Sequence, residues 1–301
     1  MPAAADKLTV AALNPPRTAA HVATQPLFEF VAALARELSS GRVDLPSFPE
    51  AAARVQHALS DNEVTAERIA RIVGSDAGLA VRLLTMANSA LLHRGGAPVT
   101  DLKVAITRIG QENIRTAALA YATAQLRSAP DLAHIRTRLD ACWRDGVRVA
   151  ALTRAMAKES RRVRPDEAML AGLLHNIGKI YILARTPKSA AGALSYDDEA
   201  LSGWHPGIGQ ALIENWKLPE ALALAVGGQL ELERNQADPA DLRDVLCLAV
   251  QVAAKIANHS ADDGSLAGTS AALALGLTEA ALVRIMLESE TEVMTLHAAL
   301  G

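Results

Sequence analysis

The stretch AGLLHNIGK, residues 171 to 179, sets a histidine, an asparagine and a lysine inside an otherwise apolar helical run. A histidine followed by an aspartate in such a helix would offer two ligands to a divalent cation, and with it the chemistry of a metal-dependent hydrolase. Here His175 is followed by Asn176, and an amide brings no negative charge to balance a cation. Residues three and four apart share a helical face, so Gly172, His175 and Gly178 or Lys179 form one stripe beside Leu170, Leu173, Leu174 and Ile177. Each glycine costs about 1 kcal/mol of helix propensity relative to alanine, a penalty expected where another helix or a ligand must approach closely. The residues alone leave two readings open. One is a hydrogen-bonded core histidine with Asn176 tying neighbouring backbone groups; the other is a former or present metal site.

The elements that must hold this stripe read as helices. Half of the 301 residues are hydrophobic but only 3% are aromatic, and β-branched runs are short, which predicts an all-α protein. A net charge of -3 gives no overall attraction to nucleic acid or anionic lipid. Cys142 and Cys247 stand far apart and in no metal-binding spacing, which fits a reducing cytosol. The apolar stretch ahead of Pro15 and Pro16 is too brief for a signal peptide. The longest uncharged run, GSLAGTSAALALGLT, is shorter than the roughly 18 apolar residues of a membrane span. A soluble, cytoplasmic chain is expected.

Residues 1–26 mix Ala, Thr and Pro without periodicity and are expected to form a flexible arm. Helical periodicity then runs through Phe30 or Val31, Leu34 and Leu38, with Gly41 as a stop, and through Ala51, Val55 and Leu59. AERIARIV breaks at Gly74; Ser75 or Asp76 caps a helix facing inward through Leu79, Leu83 and Met86; Thr100 or Asp101 opens the next; a longer helix follows from about 111 to 126. Pro130 divides a first half, about 27–128, from a second, about 129–238. The second half starts with a long amphipathic helix through Leu139, Trp143 and Val147 and continues with DEAMLAGLLHNIGKIYILAR as one helix. From Pro239 to residue 301 further helices are expected to pack on this second half.

Four motifs fall in order along residues 38 to 237: LPSFPEAAARV, IVGSDAGLAVRLLTMANSA, VTDLKVAITRIGQENIRTAAL and AGLLHNIGK. Together they resemble the HDOD family, the HD-related output domains of bacterial signalling proteins. The resemblance implies an all-α bundle related to HD phosphohydrolases, in a domain that generally lacks their full metal-binding set. Carried over residue by residue, it puts Asp145 where an HD site has its first histidine, matches His175 to the motif histidine, and puts Asn176 in place of the metal-binding aspartate. His205, in WHPGIG, is similar to a retained family histidine, Gly227 and Gly228 stand where a histidine pair would lie, and the final aspartate has no counterpart in VLCLAVQVAAKIAN. Asp145, His175, Asn176, Lys179 and His205 thus outline a degenerate HD pocket with no metal, no cofactor and no catalytic residue expected. The implied function is non-catalytic signal output through unidentified protein partners. Whether the pocket takes a small molecule stays open.

Two other classes compete with that reading. A metal-dependent phosphohydrolase would need several ligands that these substitutions remove. A helix-turn-helix at 67–84, with Ala70, Gly74, Asp76 and Arg82 at the small, turn, cap and base-reading positions, would make a DNA-binding regulator, but the second helix offers only Arg82 before Arg94. Nucleic acid and membrane are therefore not expected partners. The basic run Arg161, Arg162 and Arg164 reads as solvated. The segment 86–96, with Asn88, His93 and Arg94, is a candidate interaction loop after a strongly apolar helix.

Overall fold

The computed structural model describes residues 25–40, 50–61, 63–89, 92, 97–186, 198–231, 239–258 and 265–300. They form helices α1 (Gln25–Ser39), α2 (Glu50–Ala58), α3 (Ala66–Val73), α4 (Ala77–Asn88), α5 (Leu102–Ile109), α6 (Gln111–Ser128), α7 (Arg136–Ser160), α8 (Pro165–Leu174) and α9 (Ile177–Arg185), then α10 (Asp198–Asn215), α11 (Glu220–Gly227), α12 (Leu242–Asn258), α13 (Ser270–Leu275) and α14 (Glu279–Leu300). There is no strand among the described residues, and none of their helices is long and apolar enough to cross a membrane. Gly41 and nearly all of the expected arm lie outside the described residues, while Gln25 and Pro26 already belong to α1.

Local chemistry sets the helix starts. Thr65, Asp76 and Asp101 each accept a hydrogen bond from a backbone N–H three residues on, so the aspartates are the caps at the two positions where the sequence offers a choice. Between α5 and α6, Gly110 adopts φ +77°, a conformation that side chains rarely tolerate, and this allows two helices to meet across a single residue.

Two hydrophobic cores share a central pair, α7 and α8. Trp143, Val147, Ala150 and Ala151 of α7 face the first core with Leu79, Leu83 and Met86 of α4. Leu139, Val149, Leu152 and Met156 of the same helix face the second, with Tyr181, Leu212 and Leu246. The halves are not contiguous in sequence. Val31, Leu34 and Leu38 of α1 are buried in the second core, where Asn215 Nδ2 donates to the Leu38 carbonyl at 3.1 Å and Arg185 meets Glu37 at 2.9 Å. At the other end, Leu296 and Leu300 of α14 complete the first core, while Leu275, Leu282 and Ile285 of α13 and α14 lie in the second. Residues 27–39 therefore pack outside the half that the sequence assigns them, and the last helix joins both halves. Amphipathic periodicity fixes which face of a helix is buried, not which core receives it.

One expected helix is two. The run from Asp166 to Arg185 breaks where α8 ends at Leu174; Asn176, at φ -94° and ψ 7°, turns the chain into α9. A Cβ on Gly172 would lie 2.6 Å from the backbone of Ala150 on α7, and one on Gly178 would lie 2.0 Å from the carbonyl oxygen of His205 on α10. The glycines thus serve two different helix contacts rather than one continuous stripe. The break between them redirects the chain from the first contact to the second.

Candidate functional site

The five residues of the degenerate HD pocket converge from four elements. Asp145 comes from the middle of α7, His175 and Asn176 from the α8–α9 break, Lys179 from the first turns of α9, and His205 from α10. His175 and Asn176 are buried, as is His205 at 3% exposure, while the Asp145 side chain keeps 44% of its surface open.

One carboxylate oxygen organises the pocket. Asp145 Oδ2 accepts from Asn176 Nδ2 at 2.7 Å and lies 3.2 Å from His175 Nε2. The other ring nitrogen of His175, Nδ1, is 2.7 Å from the carbonyl oxygen of Gly172, to which it donates. Such a bond fixes ring orientation as it does for metal-bound histidines, but here it aims Nε2 at a carboxylate of the same chain. Burial raises the Asp145 pKa, but the hydrogen bond and charge of His175, the Asn176 amide and the Lys179 ammonium outweigh it and bring it down to about 2. His205 is pushed well below the ordinary histidine range, first by burial and then by the charges of Lys179 and His175, against the opposing pull of Asp145. The imidazole is neutral at neutral pH, and its Nδ1 has no hydrogen-bond partner among the described residues.

Gln229, just past α11 and fully buried, is the functional-site residue that the sequence reading missed. Its Nε2 donates to the carbonyl of His175 at 3.0 Å and to that of Val226 at 2.8 Å, which ties the α8–α9 break to α11. The available signal was a lone amide after Gly227 and Gly228, where attention goes to the absent histidines.

The donor set does not fit the cation that a relation to HD hydrolases implies. The Asn176 amide donates to Asp145, an amide brings no charge to a cation, and Lys179 supplies a positive charge of its own beside the carboxylate. Among the described residues no three His, Cys, Asp or Glu side chains are placed to hold a metal ion. Chemically the arrangement is a closed network of hydrogen bonds and charges that joins α7, α8, α9 and α11.

The other sequence candidates separate. Asn88 is occupied within its own loop: its amide donates to the Val99 carbonyl at 2.8 Å and accepts from the Val99 N–H at 2.7 Å, so it staples the ends of the segment after α4. His93 and Arg94 lie outside the described residues. In the helix-turn-helix-like segment Arg82 is half-buried beside Tyr121 and Arg127, burial lowers its pKa, and the exposed side chain at the middle of α4 is Val81, at 62%. Gly78 lets Tyr121 of α6 pack against α4, and the tyrosine hydroxyl donates to Asp76 at 2.9 Å. Arg82 thus packs toward α6 rather than standing out from α4. Arg164 pairs with Glu167 at 2.7 Å.

Comparison with known proteins matches this arrangement to an existing fold. Two solved chains from Shewanella amazonensis SB2B are similar along most of their length. One, provisionally named a metal-dependent phosphohydrolase, shares 22% identity at TM-score 0.61, covering 86% of this chain and 98% of the other. The second, provisionally named a phosphohydrolase, shares 25% identity at TM-score 0.60, with 90% and 98% covered. A chain from Marinobacter aquaeolei VT8, provisionally named a signal transduction protein, shares 19% identity at TM-score 0.58, with 90% of this chain and 66% of that one covered. No match is found among curated proteins. The family model described as HDOD domain matches residues 45–230, which span α2 through α11 and hold all five pocket residues together with Gln229; this chain belongs to the HDOD domain family.

Proposed function

We propose that this chain is a non-catalytic signal-output protein of the cytoplasm that acts by binding other proteins, with its HD-derived pocket serving as an internal strut. The observation that carries this reading is the meeting at Asp145 Oδ2, which accepts from Asn176 Nδ2 at 2.7 Å and stands 3.2 Å from His175 Nε2, so that the retained histidine and its neighbouring amide face a carboxylate of the same chain. A hydrolase of this type holds a cation rigidly and lowers the pKa of a bound water. His175, the motif histidine, is held instead by Asp145 and Gly172. Family membership supports the signalling role, and the fold shared with a chain named for signal transduction agrees with it. The buried, partnerless Nδ1 of His205 keeps a small-molecule ligand open within the same reading.

The test is metal content by mass spectrometry on untagged protein incubated with manganese, iron or zinc and then desalted, paired with a phosphodiesterase assay. The expected result is far less than one metal per chain and no turnover. Near-stoichiometric metal that is lost in His175→Ala, together with turnover, returns the chain to the hydrolases and sinks the proposal.

A further inference from the structure

Outside the pocket, α2 and α3 lie side by side at the edge of the first half and leave a groove of about 530 Å³ between them. Its floor is apolar, from Ala53, Ala58 and Ile72. Its walls are cationic. Arg54 and His57 stand one turn apart on α2, and Arg68 and Arg71 one turn apart on α3, all four exposed. Elsewhere arginines meet carboxylates across helices, as Arg127 meets Asp140, Arg185 meets Glu37 and Arg284 meets Glu159. In the groove, among the described residues, only Arg68 does so, with Asp61 at 2.8 Å, while Arg54 and Arg71 have neither a hydrogen bond nor an ion pair. With Arg68 paired to Asp61 and Glu50 at the rim, Arg54 on one wall and Arg71 on the other are the positive charges that the groove offers outward.

We infer that this groove docks an acidic amphipathic helix of a partner protein, an inference that rests on the protein-interaction reading above. The apolar ridge of such a helix would seat on Ala53, Ala58 and Ile72, with carboxylates on one flank meeting Arg54 and on the other meeting Arg71. This is helix-in-groove recognition, with charge setting orientation and the rate of encounter. The groove is open along its length, so a partner helix extending past both ends suits it better than an enclosed small molecule. Glu50 at one end of the groove favours docking in which the negative flanks stop short of it.

The experiment uses the full chain and a short fluorescent peptide with a leucine ridge flanked on both sides by glutamates, read by polarisation. The expected result is saturable binding that weakens as salt rises. A peptide of the same composition without the helical period should bind at least about tenfold more weakly, and Arg54→Glu/Arg71→Glu should lose about tenfold or more. A lysine-flanked version of the peptide should then bind that charge-reversed variant. The inference is overturned by absence of binding, by equal binding of the unpatterned peptide, by full affinity in the charge-reversed variant, or by preference for a DNA duplex over the peptide. Retained metal with turnover would sink the non-catalytic reading and leave this measurement standing; failure here beside an inert pocket would sink the docking inference alone.

Discussion

At His175 the chain answers its own polar groups: Asp145 takes up Asn176 and His175, and Lys179 balances Asp145. Between α2 and α3 it does not: Arg54 and Arg71 stand exposed beside apolar surface and, among the described residues, make no hydrogen bond or ion pair, although Glu50 lines the same groove. The first region is built on the motif AGLLHNIGK and keeps its hydrogen bonds within the chain; the second, although LPSFPEAAARV supplies part of its α2 wall, turns its arginines outward. Self-satisfied polar networks hold a fold in register, whereas unanswered charge at a surface is available for a partner. On the reading proposed above, the region around His175 serves as a brace and the groove between α2 and α3 as the surface that meets a partner.

Four measurements break or sharpen that contrast. The largest effect is expected for Gly178→Ala, whose new methyl would lie 2.0 Å from the His205 carbonyl oxygen and 2.8 Å from the Gly209 nitrogen, both backbone atoms that cannot swing aside. Overpacking of this kind should cost about 3 kcal/mol in chemical denaturation. A loss below about 1 kcal/mol would mean that the α9–α10 contact yields readily and the pocket is not a brace.

Asp145→Ala comes next. It removes the acceptor shared by the buried His175 and Asn176, and leaving buried polar groups unsatisfied should cost about 2 kcal/mol. An unchanged midpoint would show that water replaces the carboxylate, so that the closed region is closed in name only.

The third is pH dependence. The folded-state pKa of His205 is depressed, so the unfolded chain binds more protons as pH falls below the ordinary histidine value near 6.5, and stability must fall with it. Between pH 7.5 and 5.5 the loss from this residue should be about 1 kcal/mol, and it should vanish in His205→Gln. Asp145 acts in a lower window, since its folded pKa of about 2 lies below the ordinary 3.8; its contribution is present above that ordinary value and is lost as pH falls toward 2. Stability that stays flat from pH 7.5 to 5.5 would mean that the His205 environment accommodates the imidazolium.

The smallest effect falls on the open region. Arg54→Glu/Arg71→Glu should lower the denaturation midpoint only slightly, because these exposed side chains make no hydrogen bond or ion pair among the described residues and the new carboxylates only face Glu50 and Glu67 one turn away. A marked drop would mean that the arginines support the fold, and the contrast between the two regions would collapse.

Much of this was legible in the residues. Apolar spacing through Val31, Leu34 and Leu38, and through Leu79, Leu83 and Met86, gave helices with the correct faces inward, since a 3.6-residue period needs no knowledge of what packs against it. Asp76 and Asp101 marked helix starts because a cap acts on backbone only three residues away. The glycines at 172 and 178 announced close contacts, though not which helices made them. Gln229 and the α2–α3 groove were invisible, because each depends on residues distant in sequence or on two helices lying side by side.

By itself, then, the sequence determined an all-α chain and the order of most of its helices, which rest on residue type and short-range spacing, while its resemblance to the HDOD family implied the loss of an HD-type ligand set. Only the tertiary structure decided that α1 crosses to the second core and α14 reaches the first, that the histidine helix breaks at Asn176, and that Asp145 meets His175 and Asn176 through a single oxygen atom. The physical reason is the same in each case: burial of an apolar face is non-directional, so the choice among equally greasy surfaces falls to shape and to hydrogen bonds between residues that the sequence keeps far apart.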